Sequence, residues 1–130
     1  MPKVSIIIPC YNYGQYIDEA VDSVLAQTFQ DFEIIIVNDG STDEFTNKKL
    51  ENYNKPKTTV YFTKNQGVSA ARNYAIEKSS GEYILPLDAD DKIHSDYIKE
   101  AVDVLEANNE IGIVYCEFLV GKFIFFYRSV

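Results

Sequence analysis

The chain has 130 residues, 46% hydrophobic and 25% charged, enough apolar material for one globular domain spanning residues 1–130 and too much for a disordered segment. Asp and Glu number 20 against 12 Lys and Arg, and the resulting net charge of −8 repels nucleic acid and anionic membrane, which argues against either as a broad partner. The same field repels a free diphosphate, so a phosphate ligand is expected to arrive with a cation.

Met1-Pro2-Lys3 leads into only a short apolar run, which is not a secretory leader. Val4-Ser5-Ile6-Ile7-Ile8, stopped by Pro9, is β-branched and predicts a buried first strand. Ile17, Ala20, Val21, Val24 and Leu25 then fall at i, i+3, i+4, i+7 and i+8, one face of an amphipathic helix. Phe32 to Val37 predicts strand two, closed by Asn38-Asp39-Gly40. Ser41-Thr42-Asp43-Glu44 has capping-box spacing and predicts a helix from Thr42 through Leu50. After the polar connection Asn52-Tyr53-Asn54-Lys55-Pro56-Lys57, strand three is predicted from Thr58 to Thr63. Val68 to Lys78 is helical by its Ala content, with Gly81 as its stop. Tyr83-Ile84-Leu85-Pro86-Leu87 predicts a buried fourth strand. Ser95 can cap a fourth helix that buries Ile98, Ala101, Val102 and Leu105, and Ile111 to Phe118 predicts strand five.

Strands alternating with helices at this spacing predict right-handed βαβ units and an α/β fold on a mostly parallel sheet. Cys10 and Cys116 lie far apart without metal-type spacing, so they read as two free cytosolic thiols rather than a disulfide. The apolar tail from Ile111 is broken by Glu117, Lys122 and Arg128, which argues against a transmembrane segment. The stretch Phe118 to Tyr127 nevertheless offers more apolar surface than a solvated end should. Two outcomes are expected for it: a homodimer through Phe118 to Tyr127, or an extra strand on the chain's own sheet.

Asp88-Ala89-Asp90-Asp91 follows the fourth strand directly. In an open α/β sheet that places three carboxylates in the crevice at the strands' carboxyl ends, where ligands bind. Like charges so close need a cation between them, and an oxygen-ligated Mg²⁺ or Mn²⁺ is the natural one. A solvated loop capping the next helix is the alternative for the four residues alone. An EF-hand is excluded, because counting from Asp88 its fifth, sixth and twelfth positions hold Lys92, Ile93 and Lys99. Neither G-x-G-x-x-G nor a P-loop occurs, so no glycine loop cradles phosphate. His94 follows the acids and reads as a solvated loop histidine.

Four stretches taken together resemble the family 2 inverting glycosyltransferases. They are Val4-Ser5-Ile6-Ile7-Ile8-Pro9-Cys10-Tyr11-Asn12, Val37-Asn38-Asp39-Gly40-Ser41-Thr42-Asp43, Asn65-Gln66-Gly67-Val68-Ser69-Ala70-Ala71-Arg72-Asn73 and Leu87-Asp88-Ala89-Asp90-Asp91. The resemblance implies a GT-A fold, Rossmann-like with helices flanking the sheet, cut off before the acceptor-binding part. It also implies metal-dependent, inverting transfer of a sugar from a nucleotide sugar to a glycan or lipid-linked acceptor, as in polysaccharide biosynthesis. Nucleotide binding would fall to Pro9, Tyr11, Asp39, Arg72 and Asp88, with Asp88 on the ribose hydroxyls and Asp90 on Mn²⁺ or Mg²⁺. Asp91 would ligate or support. A carboxylate at Asp39 can accept the N3–H of uracil and repels cytosine, which favours UDP; dTDP and GDP also carry a suitable N–H. Tyr11 would stack on the base and Arg72 would meet phosphate or a base carbonyl. The general base is expected beyond Val130, so the rival reading is a non-catalytic donor-binding fragment. A nucleotidyltransferase is disfavoured by the missing Gly-rich, Arg-containing loop. The expected location is the cytoplasm, a peripheral seat at the membrane included.

Overall fold

The computed structural model describes residues 1–110, 112–117 and 123–128. Its elements in chain order are β1 (Val4–Cys10), α1 (Ile17–Leu25), β2 (Phe32–Asp39), α2 (Glu44–Glu51), β3 (Thr58–Thr63), α3 (Val68–Lys78), β4 (Tyr83–Pro86), α4 (Tyr97–Ala107), β5 (Ile113–Glu117) and β6 (Phe123–Arg128). The sheet order is β3-β2-β1-β4-β6-β5. The first four of these strands are parallel neighbours, whereas β6 runs antiparallel to both β4 and β5. This is the α/β arrangement on a mostly parallel sheet that the alternation of strands and helices predicted.

β1 reads as an unbroken apolar run because both of its faces are covered. Ile6 and Ile8 pack with α1, α2 and α4, while Ile7 lies on the opposite face with Ala71 and Ala75 of α3. Small residues at those two α3 positions let the helix approach the sheet closely. Pro9 does not stop β1, which continues to Cys10 in register with Asn38. The Leu87 amide donates to the Ile7 carbonyl, so Ile7 and, two residues on, Pro9 turn their main-chain groups toward β4. Pairing with β4 ends at Ile7 opposite Pro86, so the N–H that proline lacks has no partner strand to serve.

Three local expectations are corrected. α2 is capped by Asp43, whose carboxylate accepts the Thr46 amide (3.2 Å) and hydroxyl (2.6 Å), so the helix starts at Glu44 and not Thr42. Ser41 is engaged elsewhere, accepting the Asn12 amide. α4 is not capped by Ser95: the Ile98 amide donates to Gln27 Oε1 at 3.0 Å, a cap delivered from the end of α1. Gly81 does not end α3, which gives way to an extended Ser79. It is small because a Cβ there would lie 2.6 Å from the Ser5 amide nitrogen, and its own N–H donates to Ser5 Oγ.

Of the two outcomes expected for the apolar tail, residues 123–128 take the second. They form β6, which pairs with β5 from Phe123 to Tyr127 and meets β4 at Tyr127 and Arg128. The rest of the tail expectation, residues 118–122, and the predicted strand ends Ile111 and Phe118 lie outside the described residues.

Candidate functional site

β1 leads through α1 to β2 on one side of it, whereas β3 crosses over through α3 to β4 on the other side. The carboxyl ends of β1 and β4 therefore bound a topological switch point, the crevice where open α/β sheets take their ligands. A cavity of about 400 Å³ occupies it, ordinary for a small-molecule site. Pro9, Tyr11, Asp39, Asp88 and Asp90, all singled out by sequence, line this one cavity.

The loop after β1 is held by Asn12, which sits at φ 58°, a left-handed conformation that asparagine tolerates. Its Oδ1 accepts the Thr42 and Asp43 amides, both at 2.9 Å, and its Nδ2 donates to Thr42 Oγ1. Gly14 presses against α2, donating its N–H to Thr46 Oγ1; a Cβ there would lie 2.7 Å from Thr46 Cα. The first two loops are thereby locked together, and Tyr11 projects from the lock half-exposed. The sequence reading quoted Asn12 within a motif but assigned it no role.

Asp39 is 4% exposed, and its two carboxylate oxygens accept the Gln66 amide (2.9 Å) and the Gly67 amide (3.1 Å). Beside it Gly40 sits at φ +63°, where a Cβ would be 2.3 Å from the Asn65 amide nitrogen. Asn65 in turn donates through Nδ2 to the Asp39 carbonyl. The end of β2 thus clamps the turn that opens α3, a structural task invisible in the sequence. Each carboxylate oxygen keeps a lone pair for a further donor.

Arg72 reaches from α3 to Asp88, with Nη2 2.9 Å from Oδ1, but it does not itself line the cavity. Asp88, Asp90 and Asp91 each present an oxygen within 4.8 Å of the others. The turn carrying them is closed by the Asp91 amide donating to the Asp88 carbonyl and is anchored by buried Ala89. Three converging carboxylates of mixed exposure are a hard-oxygen donor set, and they fit a divalent cation such as Mg²⁺ or Mn²⁺.

Three further groups are placed by the fold. Cys10 lines the cavity but is fully buried, and burial pushes its thiol pKa up against the lowering effect of the Tyr13 backbone, which disfavours the thiolate. Tyr13, unassigned by the sequence reading, also lines the cavity and meets Tyr16 edge-to-face at 5.5 Å. His94 stays outside the carboxylate group as expected, its ring edge-on to Tyr97 and its Nδ1 accepting the Asp96 amide.

The sequence model of the family described as "Glycosyl transferase family 2" matches residues 5–129. An uncharacterised glycosyltransferase of Rickettsia typhi is 41% identical over 116 residues, which are 88% of this chain and 36% of the relative. The crystal structure of S. aureus TarS 1-349 in complex with UDP-GlcNAc superimposes with a TM-score of 0.76 at 25% identity, covering 97% of this chain and 45% of that one. The mannosyltransferase PcManGT of Pyrobaculum calidifontis, in complex with GDP-Man and Mn²⁺, shares the fold at a TM-score of 0.80 and 23% identity, covering 98% of this chain and 44% of that one. The chain spans about a third of the length of the Rickettsia typhi relative.

Proposed function

The chain belongs to glycosyl transferase family 2, and from that membership we propose that its cavity binds a nucleotide sugar, a UDP-sugar first, for metal-dependent transfer with inversion to a glycan or lipid-linked acceptor. The observation that carries this reading is the convergence of Tyr11, Asp39 and the Asp88-Asp90-Asp91 carboxylates on one cavity at the switch point. Half-exposed Tyr11 offers a ring for the base to stack on beside Pro9. Asp39 already accepts two amides and has lone pairs left for the N3–H of uracil. Asp88 would meet the ribose hydroxyls, and Asp90, with Asp91 ligating or supporting, would hold Mn²⁺ or Mg²⁺. When bound, such a cation offsets the charge that builds on a departing diphosphate.

A second reading is favoured by a specific observation. In the donor reading Asp39 and the three clustered carboxylates are all engaged, which leaves no carboxylate among the described cavity residues to take the acceptor's proton. This chain would then bind the donor while the general base comes from elsewhere. No helix among the described residues is long and apolar enough to cross a membrane.

Both readings share one test. UDP should raise the melting temperature in Mn²⁺ or Mg²⁺ and much less in EDTA, because a ligand of the native state stabilises it. Asp90→Ala should remove the metal-dependent part and leave the ligand-free melting temperature near wild type. Equal stabilisation by UDP with and without chelator would sink the metal assignment. Donor hydrolysis or transfer, compared with a longer version of the protein, separates enzyme from donor-binding part.

A further inference from the structure

We propose that Arg72 is an internal counter-ion that holds Asp88 until a divalent cation and an anionic ligand arrive, and so sets how tightly the carboxylates take the cation. The proposal rests on the nucleotide-sugar reading of the cavity.

Arg72 and Asp88 meet through a single contact, Nη2 to Oδ1 at 2.9 Å, and not through the two-pronged fork a guanidinium can offer. Their side chains are 37% and 48% exposed, so water screens the pair and it is readily parted. The Arg72 Nε is buried and finds no hydrogen-bond acceptor among the described residues. The observed pose therefore leaves one donor of the charged guanidinium without a partner among the described residues, open to a water or a ligand oxygen. Meanwhile the Asp88 oxygen lies within 4.8 Å of ligand oxygens from both Asp90 and Asp91. A guanidinium on Asp88 and a divalent ion among the three carboxylates repel one another at such range.

The consequence is an exchange of partners. Without ligand, Arg72 neutralises Asp88 and relieves its repulsion with Asp90 and Asp91. When a cation settles on Asp90 and Asp91 beside Asp88, it repels the guanidinium, and Arg72 is freed with its full fork for an anionic ligand oxygen. Arg72 thus opposes binding of the cation alone and favours cation and diphosphate together.

A plain structural tether makes the opposite prediction. If Arg72 only pinned the 88–91 turn to α3, removing it would loosen the carboxylates and weaken metal binding. Titration of the nucleotide-free 130-residue chain with Mn²⁺, read from the paramagnetic resonance signal of free Mn²⁺, separates the two. Arg72→Gln should bind Mn²⁺ about two- to fivefold tighter than wild type, the fold-change that matches a half-exposed ion pair. Arg72→Lys keeps the charge and should stay near wild type. In the presence of Mn²⁺, UDP should bind Arg72→Gln more weakly than wild type. Unchanged or weaker Mn²⁺ binding by Arg72→Gln overturns the proposal while leaving the donor reading intact. A wild-type chain that takes up neither Mn²⁺ nor UDP overturns both.

Discussion

The Asp39 carboxylate is buried and accepts the Gln66 and Gly67 amides, so it cannot be judged by its ligand role alone. Asp39→Asn keeps the size but turns one acceptor oxygen into a donor that faces an N–H. We expect a stability loss of about 1–3 kcal/mol, as for other buried hydrogen bonds to charged groups. Hydrogen exchange at the Gln66 and Gly67 amides should quicken in the ligand-free protein, where base reading plays no part. If Asp39 also reads the base, UDP affinity should fall by about 1–3 kcal/mol and CDP affinity by less. Equal losses for both nucleotides would confine Asp39 to its clamp. Unchanged amide exchange would remove the clamp instead.

Among the elements, α4 shows how a helix can be started by a residue far away in sequence. Gln27 is 3% exposed; its Oε1 accepts the Ile98 amide while its Nε2 donates to the Ser23 and His94 carbonyls. Ser23 Oγ accepts the Ile93 amide, and the Thr28 amide donates to the Ser95 carbonyl. The end of α1 therefore holds the whole segment that follows the carboxylate turn. Gln27→Ala should cost about 1–3 kcal/mol in urea unfolding, because it strands buried partners. Ser95→Ala, at an exposed site whose side chain does not cap α4, should stay within about 0.5 kcal/mol of wild type. A larger loss for Ser95→Ala than for Gln27→Ala would restore serine as the cap.

For the whole molecule, the decisive feature is β6, which enters the sheet antiparallel between β4 and β5. Its backbone serves strands on both sides, so a chain ending at Glu117 would leave β4 and β5 with open edges. Such a version should melt at a lower temperature and associate or aggregate in light scattering, while the 130-residue chain stays monodisperse. A truncated chain of unchanged stability would count against β6 as a structural strand. A two-fold dimer of the full chain that is lost on truncation would favour the alternative, self-association through residues 118–127.

Local patterning determined a great deal by itself. The continuous apolar, β-branched runs of β1 and β2 favour strands covered on both faces, as they are, and α3 runs from Val68 to Lys78 as its composition predicts. The order of strands and acid-bearing loops was enough to bring Pro9, Tyr11, Asp39, Asp88 and Asp90 to one crevice, because parallel βαβ units place every such loop at the same end of the sheet. Tertiary structure alone decided which polar groups meet across long separations. Gln27 caps α4, Asn12 binds the loop after β2, Asp39 clamps the turn before α3, and Gly81 yields space to Ser5. None of these pairings leaves a periodicity or a fixed spacing in the chain. They follow from the demand that each buried donor find an acceptor, and that demand is met in space, wherever the packed elements bring the two together.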